Sequence, residues 1–168
     1  MKVTFVKKGA RRYAVEVRRD RYPDLWCGSI GYDDRLPHDL LHFVAEAEYG
    51  LDGGIFGDLA AGGNARIFQS FDPKLTTKMW RQQRIRRTRL PDGRRSEQLA
   101  CELGQGWPAG TLRPDLQLKL DALAGRWQAL QVGGSLTLEW PRPEGRRRHP
   151  PRDRRRPARA FEGVRSAD

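Results

Sequence analysis

The sequence predicts a small α+β protein in which an antiparallel sheet packs against two or three helices. Three observations lead to this prediction: an alternating N-terminus, one long segment with helical apolar spacing, and a return to alternation near residue 140. A length of 168 residues favours one folded domain. We therefore expect a single domain over residues 1–140, followed by a disordered tail rich in arginine and proline over residues 141–168.

The strands are indicated by apolar and polar residues that alternate. Residues 2–8 and 13–19 alternate in this way, and Gly9 between them favours a β-hairpin. A third strand is predicted over residues 25–30. The last strand, residues 135–140, places three apolar side chains on one face: Leu136, Leu138 and Trp140. Alternation of this kind is typical of a sheet with one buried face.

Helices are predicted between the third strand and the last one. Pro37 suits a first helical turn and Gly50 suits a helix end, so a helix is expected between them, with a short helix following over residues 55–61. Ser96 is expected to cap another helix. The most regular helix begins at Pro114, where apolar residues recur on one face: Leu116, Leu120, Leu123, Trp127 and Leu130.

The net charge of +11 is concentrated in two segments. Residues 73–95 carry +8 and residues 141–168 carry +6, so the remaining residues together carry −3. The second segment combines ten arginines and five prolines with few apolar residues. Burial of so little apolar surface cannot offset the entropy lost on ordering, and this composition predicts the disordered tail.

The basic segments suggest two kinds of partner, a nucleic acid or an acidic protein. A cluster of arginines can contact phosphates, and the tail would add salt-sensitive affinity. The same cluster can meet an acidic protein surface. No recognisable nucleic-acid-binding module is present, and abundant arginine is also typical of high-GC genomes, so a solvated charge run without a function is the alternative. The predicted nucleic-acid contacts are Arg81, Arg84, Arg86, Arg87 and Arg89.

The sequence also bears on the cellular compartment. No apolar run approaches the roughly 20 residues needed to cross a bilayer. The N-terminus carries charge where a signal peptide needs its apolar stretch. Cys27 and Cys101 lie far apart without a CxxC partner, which favours free thiols. These features predict a cytoplasmic protein with no membrane partner.

The segment His38-Asp39-Leu40-Leu41-His42 carries the clearest chemistry in the chain. On a helix, His38, His42 and Glu46 follow one another at intervals of four residues and share one face. Two imidazoles so placed can hold zinc or another divalent metal, and the carboxylate can serve as a third ligand. The same face lies opposite the apolar stripe of this helix. A solvated polar face without a metal, or a surface that meets a protein partner, is therefore the alternative.

This motif resembles the HDxxH motif of a ubiquinone-biosynthesis family. Residues 57–60, with the sequence GDLA, are similar to that family's Gly-Glu-hydrophobic-Ala segment. The resemblance implies that His38, Asp39, His42 and Asp58 converge on zinc. The longer segment LPHDLLHFVAEAEYGLDGGIFGDLAAGG also resembles uncharacterised proteins of high-GC bacteria, which implies no activity.

The sequence thus favours a protein with a divalent-metal site on the HDxxH helix. A nucleic-acid-associated protein and a metal-free interaction or regulatory module are the alternatives. No cysteine has a sequence neighbour that would activate it as a nucleophile, and whether the protein is an enzyme stays open.

Overall fold

The computed structural model describes residues 1–30, 35–78 and 90–141. It contains a five-stranded antiparallel sheet with the strand order β4-β3-β2-β1-β5. The strands are β1 (Lys2–Gly9), β2 (Arg12–Arg18), β3 (Leu25–Ile30), β4 (Gln69–Ser70) and β5 (Ser135–Glu139). The predicted N-terminal hairpin and returning C-terminal strand are both confirmed.

The centre of the sheet joins the two ends of the domain. Phe5 of β1 lies opposite Val15 of β2 on one side and Leu136 of β5 on the other. All three side chains are buried, because the residues that face inward alternate along each strand. The last strand is thereby held in the sheet by the first, more than 100 residues earlier in the chain, as the hydrogen bond between Thr4 and Thr137 shows.

Helices cover the buried face of the sheet. They are α1 (His38–Tyr49), α2 (Ile55–Ala60), α3 (residues 73–78, up to the end of that described range), α4 (Gly93–Ala109) and α5 (Pro114–Gln128). Aromatic side chains form much of the contact: the ring of Phe5 lies 6.3 Å from those of Phe43 in α1 and Phe56 in α2. The ring of Tyr13 meets that of Trp127 in α5, edge to face.

The first helix begins and ends where its sequence predicts. Pro37 precedes it, and Gly50 follows in the left-handed conformation, with φ at 65°. The N–H group of Gly50 donates to the carbonyl of Glu46 and closes the last turn. These bounds place His38 and His42 in the first two turns, with their side chains one above the other.

Two local features differ from the sequence-based expectation. Strand β4 was not expected, because its two residues are too few to show alternation. Helix α4 begins three residues before Ser96, so Ser96 lies inside the helix, where its N–H donates to the carbonyl of Asp92. Its hydroxyl does not cap α4; it points instead towards α1 and contacts side chains there.

Several expectations concern residues outside the described ranges. The predicted disorder of the tail falls on residues 142–168, and the predicted nucleic-acid arginines fall within residues 79–89. Among the residues that are described, no helix is long and apolar enough to cross a membrane.

Candidate metal centre

Two histidines of α1 and one glutamate of α4 bring three ligand atoms together. Nε2 of His38 lies 3.4 Å from Oε1 of Glu97, and Nε2 of His42 lies 3.2 Å from Oε2 of the same carboxylate. The two imidazole rings are 4.7 Å apart and nearly perpendicular. One ligand atom from each residue can be chosen so that all three lie within 4.8 Å of one another. Glu97 was not predicted, because it lies 59 residues after His38 in the chain.

The separations suit ligands that share one ion. Zinc binds imidazole nitrogen and carboxylate oxygen at about 2.0–2.2 Å, so two such ligands of a tetrahedral ion stand about 3.3–3.5 Å apart. The His38–Glu97 and His42–Glu97 separations, 3.4 and 3.2 Å, are close to this spacing. Small side-chain rotations are enough to close the three ligands around a cation.

One ligand of this group is buried and two are accessible. The His42 side chain is 4% exposed, whereas those of His38 and Glu97 are 45% and 58% exposed. The site therefore opens to solvent on the side of His38 and Glu97, and an ion can enter from there.

The electrostatics favour ligands in the protonation states that bind metals. Burial lowers the pKa of His42, and His38 lowers it further, against the opposing effects of Glu97 and Asp39. Desolvation alone would raise the pKa of Glu97, but His42, His38 and hydrogen bonds outweigh it and leave this pKa lowered. A neutral imidazole thus faces an ionised carboxylate, which is the pair that a divalent cation requires.

Behind His42 lies a buried chain of hydrogen bonds. Nδ1 of His42 is 2.7 Å from Oγ of Ser96, which donates to Oε1 of Glu46 at 2.6 Å. All three residues are buried. Glu46 in turn accepts three backbone N–H groups at the start of α2, from Ile55, Phe56 and Gly57. We call His42, Ser96 and Glu46 the buried relay.

The buried relay determines where His42 carries its proton. Burial raises the pKa of Glu46, while Ser96 and the three backbone donors oppose this rise and favour the carboxylate. When Glu46 is ionised it can only accept, so the single hydroxyl proton of Ser96 goes to it. Oγ of Ser96 then accepts from Nδ1–H of His42. As a result, the lone pair of Nε2 points towards Glu97, which is also an acceptor.

The other residues predicted as ligands lie elsewhere. Both oxygens of Glu46 are occupied by the hydrogen bonds of the buried relay and α2. Asp39 accepts a hydrogen bond from the hydroxyl of Tyr13 at 2.9 Å, and Asp58 accepts one from the N–H of Ala65 at 2.8 Å. Within the described ranges, the one group of three ligands close enough to share an ion is His38, His42 and Glu97.

The alternative of a solvated polar face does not hold for two of its members. His42 is 3% exposed and Glu46 is fully buried, because α4 packs over this part of α1 through Ser96. Polar side chains buried in this way require partners, and the buried relay supplies them.

A cysteine lies beside the group. The thiol of Cys101, one turn after Glu97 on α4, contacts Oε1 of Glu97 at 3.6 Å. Desolvation and the neighbouring carboxylate raise the pKa of this thiol. Cys101 is exposed and Cys27 is partly buried, and both are free thiols, as predicted.

Comparisons with known proteins add no family to this picture. Neither protein-family models nor curated proteins nor solved structures yielded a match to the chain. The function must therefore be argued from the chemistry of the site itself.

Proposed function

We propose that this protein binds a divalent metal ion, with zinc as the best fit, through His38, His42 and Glu97. The observation that carries the proposal is the convergence of two Nε2 atoms and one carboxylate from two helices. Two imidazoles with one carboxylate form a ligand set that zinc commonly occupies. The borderline softness of imidazole nitrogen favours zinc over magnesium or calcium, which prefer oxygen ligands throughout.

The same contacts also describe an ion pair between Glu97 and a protonated histidine, so the two interpretations must be weighed. His42 is 4% exposed at its side chain, and its burial disfavours the charged imidazolium. In the arrangement with Glu46 ionised, Nε2 of His42 and the Glu97 carboxylate are both acceptors, 3.2 Å apart. A metal cation between them satisfies both acceptors and leaves the imidazole neutral.

The buried relay supports this proposal independently of the ligand spacing. In metal sites, a histidine ligand usually donates its second ring N–H to a carboxylate or another acceptor, which fixes its tautomer and orientation. Here Nδ1 of His42 contacts Ser96 at 2.7 Å, and Ser96 connects it to the Glu46 carboxylate. The relay thus holds Nε2 towards the proposed ion.

Three protein ligands leave one position of a four-coordinate zinc ion for a further group. The accessible side of the site, at His38 and Glu97, is where such a group would approach. The proposed function is therefore specific metal binding at the junction of α1 and α4, with the fourth ligand determining whether the ion is exchangeable, structural or reactive.

The test is a direct measurement of metal content. Protein produced without a histidine tag is exposed to zinc, dialysed, and analysed by mass spectrometry of the metal and by titration calorimetry. We expect one zinc per chain, and we expect Glu97→Gln and His42→Ala to lose most of the affinity. Glu102→Gln is the matched control, because Glu102 is an exposed glutamate of the same helix that contacts only Gln98 in the described contacts.

Two results would count against the proposal. One is a wild-type protein that remains metal-free after exposure to zinc. The other is a Glu97→Gln variant with the affinity of the Glu102→Gln control. Since Glu97 is exposed, its substitution is not expected to unfold the protein, so a loss of zinc in that variant reports on the site.

A further inference from the structure

Each of the two helices at the proposed centre presents a pair of ligand-type residues four positions apart. On α1 the pair is His38 and His42, and on α4 it is Glu97 and Cys101. Residues four apart on a helix share a face, so each pair projects from one side of its helix. The thiol of Cys101 contacts Oε1 of Glu97, the same oxygen that lies 3.4 Å from Nε2 of His38.

A second observation, independent of the cysteine, indicates that this place receives a ligand-bound cation. The imidazole of His42 is buried, with Nδ1 held by Ser96 and Nε2 directed at the carboxylate of Glu97. With Glu46 ionised, that Nε2 carries a lone pair and faces an oxygen that cannot donate to it. A buried acceptor in this position requires a cation or a proton on its open side.

We propose that Cys101, as a thiolate, is the fourth ligand of the metal held by His38, His42 and Glu97. This inference rests on the proposed metal site and adds the residue that completes it. Zinc binds thiolate sulfur at about 2.3 Å, so a sulfur and an oxygen that share a tetrahedral zinc ion stand about 3.6 Å apart. The contact between Cys101 and Glu97 has this length, 3.6 Å.

The thiol can reach the ion without a change in the backbone. Cys101 is exposed. Rotation between staggered positions about its Cα–Cβ bond moves the sulfur by roughly 3 Å. The group of mutually close ligand atoms holds His38, His42 and Glu97 before this rotation, and the rotation brings the sulfur towards it.

The chemistry of this step balances. When the ion binds, the S–H bond of Cys101 breaks, its proton leaves to solvent, and an S–metal bond forms. One thiolate and one carboxylate neutralise the two positive charges of the ion, while both imidazoles remain neutral. Thiolate and imidazole together favour zinc over magnesium, calcium or manganese, and four protein ligands close the coordination shell. The site then holds its ion rather than offering it to a substrate.

Cobalt(II) tests the inference, because it takes zinc sites and reports its ligands through its absorption spectrum. The full-length protein is kept reduced, freed of metal and titrated with cobalt and then with zinc. We expect a thiolate-to-cobalt charge-transfer band in the wild-type protein and in Cys27→Ser, the matched control for a free thiol. Cys101→Ser should lack the band and should bind zinc more weakly by more than about tenfold.

The outcomes separate this inference from the proposed function. A wild-type protein that binds one zinc, shows no charge-transfer band with cobalt and keeps its affinity in Cys101→Ser would overturn the fourth ligand and leave the three-ligand site standing. A wild-type protein that binds neither ion would overturn both. A band that persists in Cys101→Ser and disappears in Cys27→Ser would also refute the assignment.

Discussion

The hydroxyl of Ser96 lies 2.7 Å from Nδ1 of His42, and both side chains are buried where α4 meets α1. Through its second contact, to Glu46, the same hydroxyl connects a proposed metal ligand to the first turn of α2. The metal centre, the α1–α4 junction and the start of α2 are therefore parts of one hydrogen-bonded unit. The predictions below test that unit at each of its members.

Ser96→Ala should weaken both the fold and the metal site. The substitution leaves a buried imidazole nitrogen and a buried carboxylate oxygen each without one partner. We expect the free energy of unfolding, measured in urea, to fall by about 1–3 kcal/mol. The affinity for zinc, measured by calorimetry, should fall by about 10–100-fold.

Ser135→Ala is the control for Ser96→Ala, because Ser135 is exposed at the start of β5. It should leave both quantities nearly unchanged. A Ser96→Ala variant that binds zinc as tightly as this control would show that the hydroxyl does not orient His42.

Glu46→Gln should destabilise the start of α2. The amide group of glutamine puts two donors where an oxygen accepts backbone N–H groups, so donors face donors around Ile55 or Phe56. Removal of the buried charge offsets part of this loss. We expect a net decrease of about 1–3 kcal/mol in the free energy of unfolding in urea.

The control for Glu46→Gln is Glu102→Gln, an exposed change of the same kind. It should remain within about 0.5 kcal/mol of wild type. Equal unfolding midpoints for the two variants would mean that the carboxylate of Glu46 does not stabilise α2.

Gly54→Ala should disturb the buried relay by steric overlap alone. The backbone of Gly54 has an ordinary extended conformation, but a Cβ atom there would overlap the carboxyl group of Glu46. Glu46 would have to move away from Ser96 and the α2 N–H groups. We expect a loss of about 1–3 kcal/mol of unfolding free energy, together with weaker zinc binding.

Gly125→Ala is the opposite case and serves as the control. A Cβ atom at Gly125, inside α5, meets nothing within 4 Å. Alanine there should stabilise the protein by up to about 1 kcal/mol, since it restricts the unfolded chain more than glycine does. If Gly54→Ala were also stabilising, the close packing of Glu46 against position 54 would be refuted.

The stability of the metal-free protein should depend on pH through His42. Its folded pKa is lowered from the ordinary value of 6.5, so between those two values the unfolded chain binds a proton that the folded protein does not. The free energy of unfolding therefore falls as the pH decreases through that window. Glu46 acts in the opposite sense, because its raised folded pKa adds stability as the pH falls from that raised value towards 4.5.

The measurement is a series of urea titrations in the presence of a chelator, from about pH 7.5 down to about pH 5.5. The unfolding midpoint of the wild type should fall over this range, and His42→Gln should flatten the dependence. His149→Gln, at the histidine outside the described ranges, should retain it. A wild-type slope that survives in His42→Gln would assign the pH dependence to another group.

The elements of the fold were predictable wherever a local pattern is long enough to show a period. The hairpin follows from alternation around Gly9, and α5 follows from an apolar stripe that includes Leu116 and Trp127, both buried. The extent of α4 was not predictable from Ser96, because a serine suits a helix start and a helix interior with a partner equally well. Its burial beside Leu99 and Leu103 on the apolar stripe of α4 was the available sign that it faces inward.

The sequence by itself determined that His38 and His42 lie on one face of a capped helix, because helical spacing and end signals act within a few residues. Only the tertiary structure decided which carboxylate meets them. Glu46 is nearer in sequence, but α4 covers it and α2 takes its oxygens, whereas Glu97 is brought to both imidazoles from 59 residues away. Hydrogen bonding to a buried carboxylate and the packing of one helix on another depend on contacts between distant parts of the chain, and no local pattern encodes them.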